Sequence, residues 1–366
     1  MRRRPYLIAL LFLAPNLVGF LTFTLVPVVA SVAGSFTNWS LRPALALQFV
    51  GWENYVRLLH DRNFYFYLWN TGYLMLALPF SIGGALFLAI LLHGNLAFRA
   101  PGRRSRAAWA SLGATVFAAT ALWFTGSPNL AYLTAALGAI GALGFAFGSV
   151  TYRAVLYLPT FTSGAATILL WTQLYNPNFG LINQGISHLA AVFGGHTAGP
   201  GWLTSTKSLL GFLPWPDNFN NGGFGVGARE AIMFMGIWAA IGGNNLILFL
   251  AGLSSIPPEL NEAAEIDGAG AWQRFRHITW PQLAPTTFFI TIIALIGGLQ
   301  GGFEQARMMT NGGPAGATTT LSYYIYLQGF ERLDLGYGSA VAWVLFLLVF
   351  GLTLVQWRRQ GRAGAD

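Results

Sequence analysis

Long apolar runs recur along this chain, at Pro5–Phe36, Phe66–His93, Ala107–Thr125, Leu130–Val150, Tyr152–Tyr175, Ala231–Leu253, Thr286–Phe303 and Gly336–Trp357. A helix needs ~20 residues to cross the hydrocarbon of a bilayer, and most of these runs reach that length. Of the 366 residues 54% are hydrophobic and only 9% are charged, which is more apolar surface than one water-soluble core can hide. The chain is therefore read as an all-α, polytopic membrane protein. Its net charge of +8 lies in short arginine clusters at the ends of runs, with no basic stripe or interleaved aromatics of a nucleic-acid surface. Without cysteine there is no disulfide framework, thiol nucleophile or cysteine-based metal site.

Met1-Arg2-Arg3-Arg4 opens like a secretory signal, and Ala30-Ser31-Val32-Ala33 resembles a cleavage site. The apolar run behind it exceeds the ~7–15 residues of a signal core, so it is assigned as a retained first span. Asn38–Asn63, with Trp39, Trp52 and Tyr55, suits a loop at the headgroups. The second span ends at Arg99, Arg103, Arg104 and Arg106. Ala107–Thr125 and Leu130–Val150, joined by Gly126-Ser127-Pro128-Asn129, then form a hairpin that crosses twice and preserves the orientation of the later spans. The region 188–230, rich in Gly, Asn and Pro and holding Trp202, Trp215 and Lys207, reads as a long external loop with short interfacial helices. Gly242-Gly243-Asn244-Asn245 is expected to interrupt its span.

Pro257–Pro285 is unlike the rest, a polar island carrying Glu259, Glu262, Glu265 and Asp267 between apolar segments. Pro257, Pro258 and the early acids suit a helix start. Gly268 and Gly270 are expected to break that helix, with Ala271–Thr279 forming a second short one before Pro281 and Pro285 re-enter apolar sequence. Ala263 and Ala264 give the tip a shallow face beside the charges of Glu262 and Asp267.

Glu262-Ala263-Ala264, three residues, Gly268, nine residues, Ile278, one residue and Trp280-Pro281 resembles the EAA loop of ABC importer permeases, with Trp280 where the family usually has leucine. Phe49–Tyr55, Tyr157-Leu158-Pro159, Asn176-Pro177, Ile256-Pro257-Pro258-Glu259 and Asn311-Gly312-Gly313-Pro314 resemble segments of the maltose and glycerol-phosphate permeases, a carbohydrate-type group. The resemblance covers Pro5–His93 and Tyr152–Arg359 and leaves the hairpin unmatched. It implies the type I importer permease bundle of six core spans, here with an inserted two-helix hairpin. The chain then divides into 1–93, the link and hairpin 94–150, and 151–366, which carries the external loop 176–230 and the cytoplasmic EAA loop 254–285. It implies that Glu262, Ala263, Ala264, Asp267, Gly268, Ile278 and Pro281 dock on a separate ATPase. The implied partners are a second permease, two ATP-binding subunits, an extracytoplasmic solute-binding protein and the lipid of the inner membrane.

Eight crossings place thirteen of the twenty basic residues inside and seven outside, with both termini cytoplasmic. No catalytic constellation emerges. His60, His93, His188, His196 and His277 show no metal-ligand spacing, no phosphate-binding glycine loop is present, and neither enzyme activity nor a cofactor is expected. Polar residues inside apolar runs are candidates for a translocation path, because lipid penalises them: Asn70, Gln173, Asn244, Asn245 and Gln300, with Trp171 and Phe303 as stacking surfaces for a sugar ring. Interhelical hydrogen bonding and aromatic packing explain the same residues equally well. Glu304 and Arg307 read as a loop-anchoring ion pair. The competing function is a self-contained secondary carrier, which would show intramembrane charge or repeated halves.

Overall fold

The computed structural model describes residues 4–42, 46–93, 101–124, 126, 128–147, 149–162, 164–195, 199–212 and 222–363. Arg2, Arg3, Arg99, His196 and Trp215, named above, lie outside them. The described residues are helical apart from turns and isolated bridges, such as Thr37 with Phe49. Among the described residues five segments are long and apolar enough to cross a membrane: Leu11–Ser35, Arg62–His93, Ala228–Ser254, Ala271–Thr310 and Leu335–Arg358. The chain is thus a multi-pass membrane protein. Three other expected crossings coincide with shorter apolar helices, Trp109–Phe124, Leu130–Ala142 and Gly164–Leu174.

Most spans are interrupted where the sequence removes a hydrogen bond. α1 (Arg4–Phe20) and α2 (Val26–Ser35) join through a wide turn at Leu21–Leu25, just ahead of Pro27. The helix α3 (Glu53–His60) precedes the second span, which divides into α4 (Arg62–Met75) and α5 (Ala77–His93). Pro79 explains that break, since its ring collides with the carbonyl of Met75 in an unbroken helix. The helices α6 (Pro101–Phe124) and α7 (Pro128–Phe147) form the hairpin. They meet where a Cβ on Gly138 would lie 2.3 Å from Thr115, and where the Trp123 and Tyr132 rings pack edge to face. The expected span over Tyr152–Tyr175 is two pieces, α8 (Ser149–Phe161) and α9 (Gly164–Leu174), parted where Pro159 and the Thr162-Ser163-Gly164 run weaken helix formation.

Two compact units emerge, Met1–Leu68 with Thr320–Asp366, and Trp69–Thr319. In the first, α2 and α3 pack on α18 (Leu335–Ala363), preceded by α17 (Leu321–Tyr326). Asp61 accepts hydrogen bonds from Tyr324 and, at 2.6 Å, from Tyr337. Burial, then the bond to Asp61, pushes the Tyr324 phenol up. Arg57 lies 4.0 Å from the Tyr337 ring centroid and pairs with Asp334 at 2.7 Å.

In the second unit α10 (Leu181–Val192) precedes α11 (Ala228–Ile241), and between them residues 193–195, 199–212 and 222–227 are described. The expected interruption at Gly242–Asn245 is present, with α12 (Asn244–Ser254) beginning after Gly243. Leu246, Phe249 and Leu253 of α12 are buried with Ala85, Leu86 and Ala89 of α5 and with Leu283 and Ile290 of the next long helix. Small residues set these distances. A Cβ on Gly242 would stand 2.0 Å from the Leu156 carbonyl oxygen, and one on Gly84 would stand 2.7 Å from Ile241. Lipid offers no hydrophobic drive between helices, so close packing of this kind holds such a bundle together.

Gly242→Ala is therefore expected to cost about 1–3 kcal/mol by overpacking and to lower the melting temperature of the detergent-solubilised chain. Gly351→Ala, where a Cβ meets nothing within 4 Å, should leave it unchanged or raise it.

Candidate functional site

The polar island folds as two short helices. The first, α13 (Pro258–Ile266), starts at the paired prolines and ends in a glycine-dependent cap. The Ala269 N–H donates to the Ala264 carbonyl at 2.8 Å and the Gly268 N–H to that of Glu265 at 3.1 Å, with Gly268 at φ +77°. These are the two bonds of a Schellman cap, which needs a left-handed residue at this position. The Gly270 N–H donates to the Gln273 side chain at 2.8 Å and opens α14 (Ala271–Arg274), which Arg274 ties back to Glu265. Glu262, Ala263 and Asp267 are exposed, while Ala264 and Ile278 are half-buried. Ile266 is 87% exposed and Trp272 69% exposed, large apolar surfaces that no sequence pattern singles out.

The second helix differs from expectation. It does not stop at Pro281; α14 continues through a wide turn at Phe275–Thr279 into α15 (Trp280–Gln300), forming one helical segment. The wide turn accounts for this, because it shifts the hydrogen-bond register just ahead of Pro281, whose missing N–H and added ring then fit.

A second feature lies among the spans. An open cleft of about 350 Å³ is lined by Ser81, Asn245 and Gln305 among apolar and glycine residues, every one uncharged. Three helix interruptions converge on it. Met75 and Ala77 flank the first break, Ala240 and Asn245 the second, and Gly301 and Gly302 form the third, before α16 (Phe303–Gln305). Gly302 takes φ +83°, which lets the chain turn there.

Of the path candidates, Asn245 lines this cleft. Asn244 is exposed and accepts from the Tyr157 hydroxyl at 3.3 Å. Trp171 packs against Tyr175 and Trp238, and its buried indole nitrogen has no partner among the described residues. Gln173 and Gln300 are exposed, and Phe303 lies half-buried under the Arg307 guanidinium, 5.9 Å from its ring centroid.

Asn70 instead belongs to a buried polar clamp. It donates to the Gly316 and Thr319 carbonyls at 2.9 and 3.1 Å and accepts from Arg229 Nε at 3.1 Å, while Arg229 Nε also reaches the Ala317 carbonyl at 3.0 Å. Glu230, fully buried, accepts from the Tyr73 hydroxyl and from the N–H groups of Leu209 at 2.9 Å and Gly227 at 3.0 Å. Two charged neighbours thus fasten the Leu209 and Gly227 backbones and the 316–319 segment to the helix ends. The sequence carries only a weak signal for them, since Arg229-Glu230 looks like the polar edge of a loop.

A family profile described as the binding-protein-dependent transport system inner membrane component matches residues 135–359, more than half of the chain. The chain belongs to this family. Membership makes it a transport protein, a permease and not an enzyme, and bears out the resemblance drawn from the EAA loop. It is 28% identical to the probable ABC transporter permease protein YurN of Bacillus subtilis (strain 168) over 352 residues, 96% of this chain and 94% of the relative. It is 37% identical over 211 residues to the sn-glycerol-3-phosphate transport system permease protein UgpA of Shigella flexneri, a match spanning 58% of this chain and 62% of UgpA. The crystal structure of a bacterial ABC transporter importing the acidic polysaccharide alginate contains a chain of the same fold. The two share a TM-score of 0.65 and 21% identity, over 97% of this chain and 96% of that one.

Tyr73→Phe removes one of the hydrogen bonds to the Glu230 carboxylate, an interaction with a charged group worth about 1.5–3 kcal/mol. A correspondingly lower thermal midpoint is expected, and Glu230→Ala, which removes all of them, should lower it further.

Proposed function

We propose that this permease forms half of the translocation path of an ATP-driven importer for an uncharged sugar or polyol, and that its 254–285 loop couples it to a separate ATPase. The observation that carries the path is the meeting of three helix breaks on one cleft. Irregular backbone at membrane depth is tolerated only where it is buried in protein or lines a water-filled cavity, so these breaks mark a polar route. Its lining of Ser81, Asn245 and Gln305 offers hydrogen bonds without charge, which suits hydroxyls better than a phosphorylated solute, whose recognition favours arginine.

For coupling, the support is the exposed, capped hairpin itself. It is small at Ala263, apolar at Ile266 and acidic at Glu262 and Asp267, a shape and charge that a socket on another subunit can grip. Differential contact with that socket in two states is what would transmit ATP-driven closure. The wider reading includes a second permease chain, two ATPase subunits, a solute-binding protein, cytoplasmic termini, and six core spans with the 107–150 hairpin as an addition.

The test pairs co-purification with transport. The tagged chain is expected to retain an ATPase subunit in mild detergent, and Glu262→Ala with Gly268→Val should release it. A Cβ at Gly268 meets no atom within 4 Å, so the valine acts through the left-handed backbone alone, where non-glycine residues pay about 1–2 kcal/mol. Gly268→Val by itself should uncouple ATP hydrolysis from uptake at a normal protein level. A chain that transports and purifies without an ATPase would favour the secondary carrier instead. Deleting 107–150 is expected to leave uptake intact.

A further inference from the structure

A groove of about 440 Å³ lies in the same compact unit as the cleft, between α5 and α15. Leu78, Ile82 and Leu86 follow one another on one stripe of α5, and Trp280, Thr287, Thr291 and Leu295 on one stripe of α15. Met75, Leu78 and Ile82 also line the cleft, so the two spaces adjoin. Along α15 and its end, the groove takes the stretch from Trp280 to Leu295 and the cleft the stretch from Ile293 to Gly301. Trp280 to Gly301 is about 32 Å of helix, close to the ~30 Å of a bilayer's hydrocarbon. In series the two spaces match the depth of a membrane.

Their junction is narrow, since a Cβ on Gly298 would stand 3.0 Å from Met75 Cγ and 3.4 Å from Leu78 Cδ1. Methionine is flexible enough to give way there. Beyond the junction the groove is uncharged, like the cleft, but poorer in polar groups. The Thr287 hydroxyl is buried, and that of Thr291 donates to the Thr287 carbonyl at 2.7 Å. At the end nearest the 254–285 loop stands Trp280, packed against Phe275 at 6.3 Å between ring centroids and still 45% exposed. An indole face is apolar and carries partial negative charge, which matches the apolar, weakly positive C–H groups along one side of a pyranose ring. A linear polyol has no such fixed face. A hold with few hydrogen bonds is weak, as release requires.

We infer that a ring sugar leaving the cleft passes Met75 and Leu78 into this groove and stacks on Trp280 before release, so that the solute is a pyranose and not a linear polyol. This rests on the transport reading of the cleft and supplies its inner half.

The chain has no cysteine, so single reporters can be introduced directly. Gly83 lines the groove and Gly297 the cleft, both are exposed, and a Cβ on either meets nothing within 4 Å. Gly83→Cys and Gly297→Cys, made separately and held in inside-out vesicles of the native membrane, are treated with 2-sulfonatoethyl methanethiosulfonate, which reacts with thiolate in water and not with a thiol in lipid. Both are expected to be labelled. D-Glucose should slow labelling of Gly83→Cys by roughly threefold or more, while D-glucitol, its linear counterpart, leaves the rate unchanged. Adding Trp280→Leu should abolish that protection and Trp280→Phe should keep it. If Gly83→Cys is unreactive while Gly297→Cys reacts, lipid or a neighbouring helix fills the groove, and the inference falls while the cleft reading stands. If neither reacts, both fall. Absence of protection by D-glucose, equal protection by D-glucitol, or protection that survives Trp280→Leu overturns the stacking site.

Discussion

Backbone hydrogen bonding in hydrocarbon is the constraint on which this structure rests. Each N–H and C=O left unpaired in lipid costs several kcal/mol, so a helix there continues unless something else receives its polar groups. The second unit breaks its helices after Met75, at Gly242–Gly243 and at Gly301–Gly302, and the flanking residues of all three line one cleft. Interruptions that would be ruinous singly against lipid are tolerable together around a shared cleft lined by protein. The tight glycines have the same origin, for Gly242 lets the Leu156 backbone approach a point where no side chain fits.

Polar anchoring at the helix ends completes that frame. Arg229 and Glu230 are adjacent in sequence but fasten different things, the Ala317 carbonyl with Asn70 on one side and the Leu209 N–H with Tyr73 on the other. Burying both charges is costly unless every lone pair is met, and three donors to the Glu230 carboxylate go far towards meeting that condition. The Leu209 and Gly227 backbones are consequently held to the start of α11, and Trp202 donates to Asn183 at 2.7 Å.

Features governed by local chemistry were legible in the sequence. The start of α13 at Pro258, its end at Gly268 and the gap before Asn244 depend on residues within one turn, and the structure has them where proline, glycine and charge indicate. Features set by distant partners were not. Nothing near Asn70 distinguishes a path residue from a clamp, because its partners lie at 229, 316 and 319. Pro79, within an unbroken apolar run, broke a span that length alone presented as continuous. Family resemblance supplied the docking role proposed for the 254–285 loop, while the exposure of Ile266 and Trp272 on it required the fold.

The departure at Pro281 bears on how the loop and the cleft would communicate. Had the second short helix ended there, a flexible joint would separate the loop from the bundle, and motion at Glu262 would dissipate in it. Instead one helical segment runs from Ala271 past the prolines to Gln300, and its far end supplies Gly297 and Gly298 to the cleft wall. At 1.5 Å per residue the distance along that helix from loop to cleft is about 40 Å. A stiff rod of that length, anchored by Leu283 and Ile290 in the core shared with α5 and α12, turns a small tilt at the loop into a displacement at Gly297–Gly302. Under the proposed coupling role, the wide turn at Phe275–Thr279 is therefore as much a part of the mechanism as the acidic tip. It is what allows Pro281 to sit in a lever without breaking it.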